Sequence, residues 1–219
     1  ELVQSYDTID ATQNLDSYAM VSGIVKSCAV NLSKMCNDLR LMSSGPRTGF
    51  CEINLPAKQN GSSIMPGKIN PVIPEVVNQV AFNIIGNDVT ITMAAEAGQL
   101  ELNAFEPIIF YNLFESIQTL SNAVQTLVDN CIVGITANEE HCRKMVEGSI
   151  GIITAICPYV GYETAANIAK EALRTNNSVR DLILQKKLLT EEQLKTILDP
   201  YTMTKPGIQG RNPADLLAD

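Results

Sequence analysis

The sequence predicts an all-α protein, a bundle of long helices over residues 1–137 followed by a small α-helical C-terminal domain over residues 138–219. Three observations lead there. Apolar residues in the first part recur in alternating steps of three and four, the spacing that puts them on one face of a helix. One stretch, Gly61 to Glu75, interrupts this pattern with Gly61, Gly67, Pro66, Pro71 and Pro74, which a continuous helix does not tolerate. Beyond residue 137 the composition changes: Lys and Arg, absent between Lys68 and Arg143, return, and the periodic segments become short.

The first long helix is read from Tyr18, Val21, Val25, Cys28, Leu32, Met35, Leu39 and Met42, a heptad seam with Lys26, Asn31 and Lys34 between its members. Gly45-Pro46 stops it, and an irregular stretch from Arg47 to Gln59 leads into the 61–75 loop. Pro74 and Glu75 open the second helix, a proline in the first turn and an anion at the positive helix end. Its residues from Val76 to Ala95 are apolar on all sides, so it should be buried. The third helix begins near Pro107 and carries Phe110, Leu113, Ile117, Leu120, Val124, Leu127 and Cys131. Three such helices cannot cover their own apolar faces, which calls for an oligomer or for further chain.

Around Thr136-Ala137-Asn138-Glu139 a Thr or Asn cap followed by two acidic residues marks a helix start and the boundary. Helices are expected at 139–158, 163–174, 179–187 and 191–198, the last two with caps from Asn176-Asn177-Ser178 and from Thr190-Glu191-Glu192-Gln193. The tail after Asp199 lacks periodicity and is expected to be irregular. The basic residues here are interrupted by Glu163, Glu171, Asp181, Glu191 and Glu192, so no positive stripe of a DNA-binding helix survives.

A net charge of -8 and a pI near 4.7 argue against nucleic acid or an anionic membrane as partner. No apolar run reaches the roughly 20 residues of a bilayer span. The six cysteines form no Cys-x-x-Cys pair, read as reduced thiols, and favour a cytoplasmic location. The opening Glu1-Leu2-Val3-Gln4 has no initiator Met and leads almost at once into a helix, as in a fragment of a longer chain.

The 61–75 loop carries the chemistry. Ser62 and Ser63 supply hydroxyls, Lys68 a cation, Asn70 an amide, and Glu75 a carboxylate where the next helix begins. Such a set suits a small anionic substrate. Lys68 can neutralise a carboxylate, Asn70 and Ser63 can donate to it, and the glycines let backbone N–H groups approach an oxyanion. Either serine could then be the reacting group. Composition alone also allows a plain flexible connector.

The run Gly61-Ser62-Ser63-Ile64-Met65-Pro66-Gly67-Lys68-Ile69-Asn70-Pro71, with Glu75 after it, resembles the signature loop of the fumarase/aspartase superfamily. The likeness extends through Asn37-Asp38-Leu39-Arg40 and Ser44-Gly45-Pro46-Arg47 to Gly86-Asn87-Asp88 and Glu101-Leu102-Asn103. Glu52 to Pro56, Val72 to Val80 and Met93 to Leu100 look more like the aspartase branch than class II fumarases. The resemblance implies that the chain is the C-terminal half of a lyase, its long helices part of a central bundle in a homotetramer, acting on a dicarboxylate without a cofactor or metal. It implies Ser62 as general base, Ser63 with the backbone N–H groups near Ile64 and Met65 on the carboxylate that becomes an enediolate, Lys68 and Asn70 on the other carboxylate, and Glu75 orienting a histidine of the preceding segment. That segment, with the family's Thr, Asn and His contacts, is not in this sequence. The single histidine, His141, is read as an exposed or capping residue, and the 219 residues alone are expected to be inactive.

Overall fold

The structure, a computed structural model, describes residues 3–61, 63–65 and 67–208. The chain divides into two compact units, Glu1–Asn138 and Glu139–Asp219. Among the described residues the chain is all-α apart from a two-residue strand pair and isolated β-bridges.

In the first unit a short α1 (Thr8–Gln13), capped by the Asp7 carboxylate on Ile9 N and Asp10 N, leads into three long helices: α2 (Asp16–Met42), α3 (Val72–Glu96) and α4 (Glu106–Asn130). Polar rungs run in opposite order along α2 and α3, which makes them antiparallel. Asp88 accepts from Ser22 Oγ (2.7 Å) and pairs with Lys26 (2.5 Å) near the start of α2. Asn78 meets Ser33 and Asn37 further on. Asn103 closes the turn into α4 by donating to the Ala94 and Ala95 carbonyls and accepting from Phe105 N.

The buried face of α2 differs from the seam its sequence predicts. Ser22, Ala29, Ser33 and Cys36 turn inward, while Val21 and Met35 are exposed. Small side chains let α2 and α3 approach closely, with Ala29 against Ala81 and Ile84. The predicted seam survives in part, with Leu39 buried and Tyr18, Val25, Leu32 and Met42 half-buried against the cores, while Val21, Cys28 and Met35 are left outside. α3 departs from its expected full burial in the same way: Phe82, Val89 and Met93 are exposed within this chain, opposite buried Val77, Ile84 and Ile91. On α4, Leu113 and Leu127 are buried, whereas Ile117 and Val124 are exposed.

The stretch expected to be irregular contains β1 (Ile53–Asn54), paired antiparallel with β2 (Thr136–Ala137). Thr136 is therefore strand, not cap. Asn138 donates to the Cys51 carbonyl (2.8 Å) and accepts from Asn54 Nδ2 (2.8 Å), fastening the pair.

The second unit is a cluster of short helices: α5 (Glu139–Gly148), α6 (Ile153–Val160), α7 (Tyr162–Thr175), α8 (Val179–Gln185), α9 (Glu191–Ile197) and α10 (Pro200–Met203). The expected 139–158 helix is broken after Gly148, where Ser149 caps a 3-10 turn through Gly151 N. Ser178 caps α8, and Thr190 with Gln193 forms a capping box on α9. Part of the tail expected to be irregular forms α10, with Asp199 as cap and Pro200 in its first turn; residues 209–219 lie outside the described residues. The core is aliphatic, built on Ile156, Ile168, Leu182, Ile183 and Leu194. Arg143, between Glu140 and Glu147, holds the Glu140 carboxyl below its usual range through hydrogen bonds. Among the described residues no helix is long and apolar enough to cross a membrane.

Candidate active site

Between β1 and α3 the chain forms a pinched hairpin. Asn60 and Ile69 pair as an isolated antiparallel bridge, Gly61 N donates to the Lys68 carbonyl (2.6 Å), and Asn70 Nδ2 donates to the Gly61 carbonyl (3.3 Å). This neck requires a glycine. A Cβ on Gly61 would stand 2.8 Å from Lys68 O and 2.9 Å from Asn70 Oδ1, closer than real Cβ atoms approach. Beyond the neck, Lys68 N donates to the Met65 carbonyl (3.2 Å), and Gly67 takes a φ of +80°.

The neck thus joins Gly61, Lys68 and Asn70, while Ser63, Ile64 and Met65 stand at an exposed tip, Ile64 at 85%. Ser62, the candidate base, lies outside the described residues.

From the neck, Val72 N donates to the Asn70 carbonyl (2.9 Å) in a tight turn, and α3 begins at Val72, two residues before the predicted Pro74. Pro74 is buried in the first turn, and Glu75 is held beside it by its N–H to the Pro71 carbonyl (3.2 Å). The Glu75 carboxylate faces Arg40 of α2, with Oε1 3.7 Å from Nη2. In the sequence Arg40 stands only as the last residue of Asn37-Asp38-Leu39-Arg40, with no role assigned to it. Its signal was the spacing: Asn37 and Arg40 share one face of α2, as Glu75 and Asn78 share one face of α3.

Asn78, buried at 3% exposure, reinforces that junction. Its Nδ2 donates toward Ser33 Oγ (2.8 Å), the Ser33 carbonyl (3.1 Å) and Asn37 Oδ1 (3.1 Å). Behind Arg40, Cys36 and Cys131 share a core with Leu39, Val77 and Leu127. Burial, with Cys131 adding to it and Arg40 opposing, pushes the Cys36 thiol up to about 11, and burial raises Cys131 as well. Both stay protonated at neutral pH. Each of the six cysteines lies outside any disulfide. His141 is exposed in the first turn of α5, in the other unit.

The arrangement offers a cation, an amide and a serine hydroxyl on a glycine-necked loop, leading into a helix N-terminus that favours anions. It can bind carboxylates and stabilise charge that develops on one of them.

Comparison with known proteins finds lyases. A family model described as lyase matches residues 1–86, and one described as fumarase C C-terminus matches residues 152–205. An aspartate ammonia-lyase from Bacillus sp. is 60% identical over 203 residues, 93% of this chain and 43% of that protein. The crystal structure of a fumarate lyase:delta crystallin from Brucella melitensis matches with a TM-score of 0.86 at 51% identity, over 94% of this chain and 45% of that one. Recombinant class II fumarase from Schistosoma mansoni matches with a TM-score of 0.84 at 34% identity, over 92% of this chain and 42% of its own. The chain spans less than half the length of the relatives it matches.

Proposed function

We propose that this chain belongs to the fumarase/aspartase superfamily of lyases and is the C-terminal half of an aspartate ammonia-lyase, a carbon–nitrogen lyase that converts L-aspartate to fumarate and ammonia. The observation that carries the reading is the 60% identity to an aspartate ammonia-lyase over 93% of the chain. Class II fumarase is the second reading, favoured by the match to the fumarase C C-terminus and weakened by the 34% identity of the schistosome enzyme.

In the proposed reaction Ser62, as an alkoxide, removes a proton from the carbon beside one carboxylate. The electron pair left behind turns that carboxylate into an enediolate. It then forms the carbon–carbon double bond as the carbon–nitrogen bond breaks and ammonia leaves. Ser63 and the N–H groups at Ile64 and Met65 hold the enediolate, where each well-aimed donor contributes about 2.7–4 kcal/mol in a site closed to water. Lys68 and Asn70 hold the second carboxylate. Glu75 orients a histidine supplied by the preceding segment. The Gly61 neck supports this division of labour, because it ties Lys68 and Asn70 to the base of the tip that bears the serines.

In this reading the parent is a homotetramer of the cytoplasm, and the 219 residues alone turn over nothing. The test offers L-aspartate and L-malate separately to the full-length protein and follows the ultraviolet absorbance of fumarate. Turnover of aspartate alone supports the ammonia-lyase; turnover of malate alone makes it a fumarase. Turnover of neither leaves a helical assembly module. Ser62→Ala is expected to lower the rate by about 10²–10⁴-fold, and an unchanged rate removes Ser62 as the base.

A further inference from the structure

The Arg40–Glu75 pair is not explained by stability. Both side chains are substantially exposed, at 41% and 36%, and the 3.7 Å contact is a single one; exposed pairs of that kind contribute little to folding. Its placement is nevertheless constrained from three sides. Arg40 is in the last turn of α2 and Glu75 in the first turn of α3, so each charge sits at the helix end that favours it. One turn further into both helices, buried Asn78 grips Ser33 and Asn37, which prevents α2 from sliding along α3 and keeps Arg40 level with Glu75. On the core side of Arg40, one turn back on α2, stands buried Cys36, whose thiol burial pushes up to about 11 and which offers no anion to draw the guanidinium away. Among the described residues of the first unit, the other ion pair joining two helices is Lys26–Asp88, whose carboxylate is buried and also bonded to Ser22. That one is a core rung. Arg40–Glu75 lies instead at the open end, directly after the loop.

We propose that Arg40 is a positioning residue for the reaction: it fixes the Glu75 carboxylate in the orientation from which Glu75 aligns its histidine, and the Asn37–Asn78 rung fixes Arg40. This rests on the role given to Glu75 above. Arg suits the task because its planar fork defines a direction, which the point charge of Lys does not.

The test is a double-mutant cycle in the full-length protein, with Glu75→Gln, Arg40→Met and the two combined, and Arg40→Lys as the conservative variant. Arg40→Met is expected to lower kcat about tenfold while KM moves less than about twofold, because orientation and not ground-state binding is lost. Arg40→Lys, which keeps the charge and loses the fork, is expected to recover kcat only in part, to about threefold below the parent. In the Glu75→Gln background, Arg40→Met is expected to cost less than about twofold more, since a residue that acts through Glu75 has nothing left to position. A full loss in that background, or an unchanged kcat for Arg40→Met alone, overturns the inference. An unchanged kcat for Glu75→Gln removes the role of Glu75 and the inference with it, and that single variant tells the two failures apart. Should sedimentation show that Arg40→Met does not assemble, Arg40→Lys is run through the same cycle. A loss that persists undiminished beside Glu75→Gln then overturns the proposal.

Discussion

At the scale of single residues, the site depends on an atom that is absent. Gly61 has no positive φ to explain it; what excludes a side chain is the Lys68 carbonyl and the Asn70 amide crossing where its Cβ would be. Gly61→Ala should therefore push the two arms of the neck apart and shift Lys68 and Asn70 relative to the serines. In the full-length protein kcat/KM should fall by about 10²-fold, the cost of misplacing a positioned group by roughly 1 Å. The loop packs little core, so stability should change by about 0.5 kcal/mol or less. Steady-state kinetics beside a denaturant titration would separate the two effects. Undiminished turnover would mean that the neck merely connects. The sequence shows that a glycine is there, but not which contact demands it, because the crossing atoms lie seven and nine residues away.

At the scale of elements, legibility followed how local the cause is. Ser178 and Thr190 are readable as caps because the groups they satisfy lie within three residues, and both helices begin where those residues stand. Thr190→Ala should cost about 1 kcal/mol, raising amide hydrogen exchange across Glu191–Ile197 about fivefold while leaving kcat unchanged. Exchange that does not move would mean that packing of Leu194 and Ile197, not the box, holds α9. The buried face of α2 was less legible. A periodicity search gives weight to Val21 and Met35, yet helix pairs that approach closely bury small residues, and Ser22, Ala29, Ser33 and Cys36 carry too little hydrophobic signal to be ranked above their large neighbours. Two-residue strands are shorter still than any pattern; β1 and β2 meet across some eighty residues of chain and leave no trace in either segment. Asp199-Pro200 was a readable start for α10, with a cap and an N1 proline, that the proline- and glycine-rich tail masked.

At the scale of the whole molecule, the long helices expose what a lone subunit cannot afford to leave in water. Phe82, Val89 and Met93 on α3 and Tyr111 and Phe114 on α4 are all more than half exposed, within a stretch that has no Lys or Arg between Lys68 and Arg143. Two covers are physically available: further chain of the same subunit, or the neighbouring subunits of the proposed tetramer. Phe82→Glu distinguishes them. A carboxylate placed in a closed apolar contact is left without a partner, and its desolvation opposes whatever association buries it. If other subunits supply the cover, sedimentation should show smaller species at low concentration, with the tetramer and its activity returning as concentration rises, because assembly follows mass action. If the same subunit supplies it, the variant should lower the denaturation midpoint by an amount independent of concentration and leave the assembled fraction unchanged. The first result would place Phe82 in a subunit interface. The second would turn the α3 face toward its own chain, and the tetramer would then have to be built on other surfaces.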